Sequence, residues 1–251
     1  VRNDDFEALT QRIVDRVRDD DRVLGLVMLG SAADAGRRDI WSDHDFFLIT
    51  RPGEQETFRN YLWWIADEAE IAGTVRETEH GVQVILRDGH LLEFAVFDPD
   101  EIFLGRVNSR AVVLDKSDID ERIEQVAAYP SSKRPINEAT FLFISHVLVG
   151  VGRFRRGEVI AARQRLTGIA VPQLLSALLQ HKGLEPPDEY DITRRIESVL
   201  ADEAAAIAAA LAHTDLNVAG AQLLNIAANV LGAREDFPRE IYDAVRSRLI
   251  V

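Results

Sequence analysis

The chain has no cysteine, which excludes disulfide cross-links, thiolate nucleophiles and zinc–thiolate centres. Aromatic residues are sparse at 7%. No apolar run is long enough to cross a bilayer, and the N-terminal stretch is acidic and amphipathic where a signal peptide would be basic and apolar. A cytoplasmic location with no membrane partner is expected. Positive charge is the scarcer sign: 29 Lys and Arg stand against 42 Asp and Glu, a net charge of −13. That balance repels a phosphodiester backbone, so no nucleic-acid partner is expected. A cationic small molecule suits it better. What the chain does have is apolar material, 47% of 251 residues, enough for one large core or two small ones.

The most informative segment joins two strands. Val23 to Leu29 is apolar and ends in Gly30-Ser31; after a polar stretch, Ser42-Asp43-His44-Asp45 opens a second apolar run, Phe46-Phe47-Leu48-Ile49. Residues two apart on a strand share a face, roughly 6–7 Å apart. Asp43 and Asp45 therefore project side by side, and two such carboxylates repel unless a cation lies between them. Oxygen-only ligands favour a hard ion such as Mg2+, which keeps waters and takes further ligands from a substrate phosphate. The Gly-Ser turn offers amides and a hydroxyl to such a phosphate, with Ser31 expected to cap a short helix ending near Gly36. This combination points to phosphoryl or nucleotidyl transfer.

A lone Asp-x-Asp more often marks a solvated turn or a helix cap, so the context decides. A third acid, Glu93, interrupts the apolar run Leu91 to Phe97. A carboxylate there faces water on an edge strand, stays neutral, or meets a cation. Three acids on neighbouring strands favour the cation. His44 alternates away from the two aspartates and is expected to pack behind them. Trp63-Trp64 reads as one core residue and one half-exposed neighbour, and His146 as a hydrogen-bonded core histidine. Trp41 is kept as a substrate or nucleobase contact.

Gly30-Ser31, Asp43-x-Asp45 and the later strand acid Glu93 resemble the core signature of the DNA polymerase β-type nucleotidyltransferase superfamily. Within it the chain resembles the antibiotic nucleotidyltransferases, particularly the two-domain lincosamide type, with the aminoglycoside nucleotidyltransferases next. Glu93-Phe94 followed by Phe97 resembles that family's third-acid strand. Phe141 to Leu166, with Arg155-Arg156-Gly157-Glu158 and Ala162-Arg163, resembles the helical segment that opens its C-terminal domain. The likeness covers most of Val23 to Gln180 and is specific for the superfamily, whereas the substrate assignment within it is not.

The resemblance implies an α+β fold: an N-terminal mixed-sheet nucleotidyltransferase domain (1–130) followed by a C-terminal all-helical bundle (135–251). It implies catalysis by Glu93, Asp43 and Asp45, with the same three as ligands of Mg2+. Nucleotide contacts are expected from Gly30, Ser31, Ser42 and Arg163, with the nucleotide lying in a cleft between the domains. Arg163 is chosen from a basic stretch, Lys133 to Arg165, holding seven bases and two acids. A nucleoside monophosphate, AMP from ATP, would pass to a hydroxyl of a small acceptor such as a lincosamide or aminoglycoside, with Glu93 as general base or as a metal ligand. The resemblance leaves room for a homodimer. A nucleotide-binding regulatory or antitoxin-like module without turnover stays open, as does an enzyme that modifies a protein hydroxyl.

Periodicity supplies the remaining elements. Asp4 to Arg18 reads as an amphipathic helix with Phe6, Leu9, Ile13, Val14 and Val17 on one stripe. Helix is expected over Glu54 to Ile71, then strands near Thr74–Glu79, Val82–Arg87 and His90–Phe97, the last two joined by the hairpin signal Asp88-Gly89. A strand at Ala111–Leu114 and a helix at Asp118–Ala128 lead to a linker, Tyr129 to Pro135. Beyond it every segment reads helical: Asn137 (as cap) to Phe154, Glu158 to His181 with a kink at Pro172, Thr193–Leu200, Asp202–Ala212, Val218–Leu231 and Pro238–Leu249.

Overall fold

Leu26 and Met28 turn to one face of their strand and Val27 and Leu29 to the other, and all four are buried. A strand covered on both sides carries a continuous apolar run for this reason. In the computed structural model of the chain, which describes residues 3–107, 109–127, 133–188 and 190–249, this strand is β1 (Val23–Leu29). Next come β2 (His44–Thr50), β3 (Ile71–Arg76), β4 (Gly81–Leu86), β5 (Leu91–Phe97) and β6 (Arg110–Asp115), forming one sheet in the order β3-β4-β5-β2-β1-β6. Neighbours run antiparallel except β2 and β5, which are parallel.

Helix α1 (Asn3–Val17) covers one face with its stripe of Phe6, Leu9, Ile13, Val14 and Val17. The other face is closed by Ile102, Val107 and the apolar side of a helix at Ile119–Ala127, which contributes Ile119, Ile123 and Val126. Between them in sequence lie two short helices, α2 (Gly30–Ala33) and α3 (Gln55–Asn60), so the Ile119–Ala127 helix is α4. The β4–β5 connection turns at Asp88-Gly89, with Gly89 at φ 87° and the Leu86 amide donating to the His90 carbonyl at 2.9 Å.

The helix expected over Glu54 to Ile71 is confined to α3. Trp64, Ile65 and Ala66 are all buried, and three consecutive residues span about 200° of a helix, too wide for one apolar face. The chain leaves the helix and buries them from a turn, where the Trp64 Nε1 donates to the Phe58 carbonyl at 3.0 Å. Trp63 stays half-exposed at 44%. Ser31 lies inside α2, whose N-cap is Leu29.

The chain divides into two compact units, Val1–Pro130 and Ser131–Val251. In the second, α5 (Ile136–Arg155), α6 (Val159–Arg165), α7 (Val171–Lys182), α8 (Ala201–Leu211), α9 (Leu216–Leu231) and α10 (Arg239–Leu249) surround a core that includes Phe143, Val147, Leu174, Leu178, Leu223 and Leu224. Helix α5 starts after Pro135, one residue before the expected Asn137 cap. Residues 193–200 hold a short 3-10 turn (Ile196–Ser198) where a helix was expected. Pro172 sits in the first turn of α7, directly after a π-helical segment (Leu166–Ala170), and the extra residue per turn absorbs the proline without a break. Most of the expected linker, 129–132, falls outside the described residues. Among the described residues no helix is long and apolar enough to cross a membrane.

Candidate active site

The parallel β2–β5 pair sets Asp45 directly beside Glu93. Their side chains turn to the same face as Phe47, Ile49 and Phe97, which are buried against α4 and its neighbours, so the two acids extend that face towards the start of the strands. Asp43 joins them from the residue before β2. One carboxylate oxygen from each of Asp43, Asp45 and Glu93 lies within 4.8 Å of the others, and all three residues are half-buried. Nucleophilic sulfur and ring nitrogen are absent from this donor set, and oxygen donors at such spacing fit a hard divalent cation.

Glu93 is held in place from the next strand. Gln83 of β4 is its antiparallel partner and donates from Nε2 to Glu93 Oε1 at 2.6 Å. Burial pushes the Glu93 carboxyl above its ordinary range. The Gln83 hydrogen bond works in the opposite direction, and the neighbouring negative charge of Asp43 adds to the rise.

The Gly-Ser turn lies against the acids. Gly30 leaves β1 at φ 53°, and a Cβ there would stand 3.4 Å from Asp45 Oδ2. Its amide donates to the Ser109 carbonyl at 2.9 Å, so of the two amides the sequence offers a phosphate, that of Gly30 is already engaged. Ser31 is buried in α2. Ser42 closes a loop turn: its hydroxyl accepts from the Asp39 amide at 2.9 Å and its amide donates to the Asp39 carbonyl at 3.2 Å. Trp41 projects from the same turn, 87% exposed.

His44, between the two aspartates, faces the opposite side of the sheet and is fully buried. Its ring stacks on Phe6 with centroids 3.5 Å apart, and its nitrogens meet His90 Nε2 at 2.6 Å and Thr10 Oγ1 at 3.0 Å. Burial, with the nearby His90, holds its pKa down to about 3. The start of β2 is thus anchored to α1 and to the residue preceding β5. Gln83, His90 and Thr10 carry no sequence signal for these roles; each needs the strand register or the α1 docking to be known first.

Arg163 belongs to the helical unit. It is exposed on α6 and its Nη2 donates to the His213 carbonyl at 3.4 Å. Other bases of the Lys133–Arg165 stretch have local work: Arg155 binds Asn217 Oδ1 and the Leu249 carbonyl, each at 2.7 Å, and Arg156 pairs with Glu158 at 2.8 Å.

No family model matches the chain, and no curated protein matches it. Among solved structures, it is similar over its full length to an aminoglycoside 6-adenyltransferase from Bacillus subtilis, with 14% identity, 98% of that chain covered and a TM-score of 0.36. It is also similar to a nucleotidyltransferase-like protein from Exiguobacterium sibiricum 255-15, with 11% identity over 97% of this chain and 78% of that one and a TM-score of 0.38.

Proposed function

We propose that the chain is a nucleotidyltransferase that moves a nucleoside monophosphate, AMP from ATP, onto a hydroxyl of a small acceptor of the lincosamide or aminoglycoside type. The observation that carries this reading is the convergence of Asp43, Asp45 and Glu93 beside the Gly30 turn. An apolar sheet face has no structural use for three carboxylates at that spacing, because each raises the cost of ionising the others. Asp43 and Asp45 would hold Mg2+, which when bound neutralises the triphosphate oxygens and the charge that develops during transfer.

Glu93 has the environment of a base. Its raised pKa brings it closer to the range in which a carboxylate accepts a proton effectively, and Gln83 holds one of its oxygens. Glu93 takes the proton of the acceptor hydroxyl, the hydroxyl oxygen bonds to the α-phosphorus in line, and the bond to the bridging oxygen breaks to release pyrophosphate. Ser31 and Ser42 are our proposed hydroxyl contacts to the nucleotide.

The test is pyrophosphate release from each nucleoside triphosphate with Mg2+ and a panel of lincosamides and aminoglycosides, with Asp43→Asn as the blank. Release that needs acceptor, metal and Asp43 together supports the reading. Release from no combination, or equal release by the variant, removes it.

A further inference from the structure

The helical unit carries a cavity of about 380 Å3 that opens to solvent, bounded by the π-helical segment, the start of α7, α8 and the loop around Ile196. Val171, Leu175, Ile196 and Ile207 line it, and each is less than a tenth exposed. The charged residues at its wall are both acids, Asp191 and Glu197. Small-molecule sites have this form: about 300–1,000 Å3, mostly apolar, with a few polar groups that orient the ligand.

The π-helical segment adds an acceptor. The Val171 amide donates to the Leu166 carbonyl, five residues back. The Thr167 carbonyl would next look to the amide of Val171, which is taken, or of residue 172, which is proline and has none. The helix thus offers Thr167 no donor, and Thr167 lines the cavity. Thr167 is exposed, so its carbonyl takes its donor from water or from a ligand in the pocket. Across the cavity, Asp191 Oδ1 accepts from the Thr193 amide at 3.0 Å and its hydroxyl at 2.5 Å, which orients the carboxylate. Arg194 is paired with Asp188 at 3.5 Å and is not part of the lining.

We infer that this cavity binds a small organic cation, an ammonium group carried on an apolar body. The body packs on Val171, Leu175, Ile196 and Ile207. The ammonium donates toward Glu197, Asp191 and the Thr167 carbonyl. Asp191, Glu197 and Thr167 are exposed at the pocket, so an anion would be repelled by the two carboxylates and a neutral hydrocarbon would gain nothing from them. None of these residues belongs to the acid site, so the inference stands apart from nucleotidyl transfer.

Calorimetric titration of the full chain with n-hexylammonium, n-hexanol and hexanoate tests it. Hexylammonium should bind one to one and about tenfold tighter than hexanol, as one charge-assisted hydrogen bond contributes, and hexanoate should not bind. A Cβ on Gly168 meets nothing within 4 Å, and Gly168 lines the cavity, so Gly168→Leu should fit the fold, occupy the space and weaken hexylammonium by at least about tenfold. Ala208→Leu, at an exposed position of the facing helix α8, is an independent block of the same cavity. Glu197→Gln should weaken the cation and leave hexanol unchanged. No binding of hexylammonium at millimolar concentration, equal binding of all three probes, or unchanged binding in both blocked variants at wild-type melting temperature overturns the inference.

Discussion

Gly30 and Asp45 meet where β1 ends and β2 begins: the glycine lies at φ 53°, and a Cβ on it would stand 3.4 Å from Asp45 Oδ2. A Cβ there would touch the carboxylate at ordinary contact distance, and the positive φ would strain the backbone. Gly30→Ala is therefore expected to cost about 1–2 kcal/mol of stability and to lower transfer activity as the strained turn shifts beside Asp45. Gly53→Ala is the control, since Gly53 also has positive φ (89°) but nothing within 4 Å of its Cβ position. Urea melts and initial rates compare them. Equal activity in the two variants would remove Gly30 from the site.

Asp43→Asn should reduce nucleotidyl transfer by roughly 10²–10³-fold, the usual loss for an electrostatic stabiliser. Removing its charge relieves repulsion from Glu93, so the metal-free variant should melt at or slightly above the wild-type temperature. Turnover within about tenfold of wild type would contradict the assignment.

Glu93→Gln separates a base from a metal ligand. A base imposes an acid limb on the pH–rate profile; the variant should be slow, with that limb flattened and Mg2+ affinity near normal. Partial recovery at high Mg2+ or with Mn2+, with the limb retained, would make Glu93 a ligand instead.

ATP should raise the melting temperature only with Mg2+ present, because the carboxylates repel an unaccompanied triphosphate. At a hundredfold excess over Kd, the linkage contributes about 2.7 kcal/mol, a shift of several degrees. Scanning fluorimetry with and without chelator measures it. An equal shift with ATP plus chelator would point to a metal-independent binding module.

Glu56 links α3 to the edge strand β3, accepting from Arg76 at 2.7 Å and Arg59 at 2.8 Å. Arg76 first, then Arg59, lowers its pKa from 4.5 to about 2. The folded value lies below the unfolded one, so this contribution is fully present above pH 4.5 and is lost as pH falls towards 2. The Glu56 side chain is 59% exposed, and after solvent screening Glu56→Gln should cost about 0.5–1 kcal/mol at neutral pH. The gap between variant and wild type should close on acidification. A gap in urea midpoint that stays constant down to about pH 2 would show that the ion pair is not its source.

Local patterns determined much of this protein. The stripe of α1, the two-sided apolar runs of β1 and β2, the Asp88-Gly89 hairpin and the helical second half all follow from which residues can share a face of a helix or strand. So does the opposed placement of His44 and the two aspartates, because alternation is a property of the strand alone. Other features were decided only in three dimensions. Asp45 meets Glu93 because β2 and β5 pair in parallel, a register set by burying Phe46, Leu48, Phe94 and Val96 under α1. Gln83, Thr10 and His90 acquire their partners from the same long-range packing. The expected helix after Glu54 shortens because the core under α1 takes Trp64, Ile65 and Ala66 together. The Gly30 amide is drawn to Ser109, which the β1–β6 pairing brings alongside. Periodicity reports the face to which a side chain turns; only the packing of distant segments decides what it meets there.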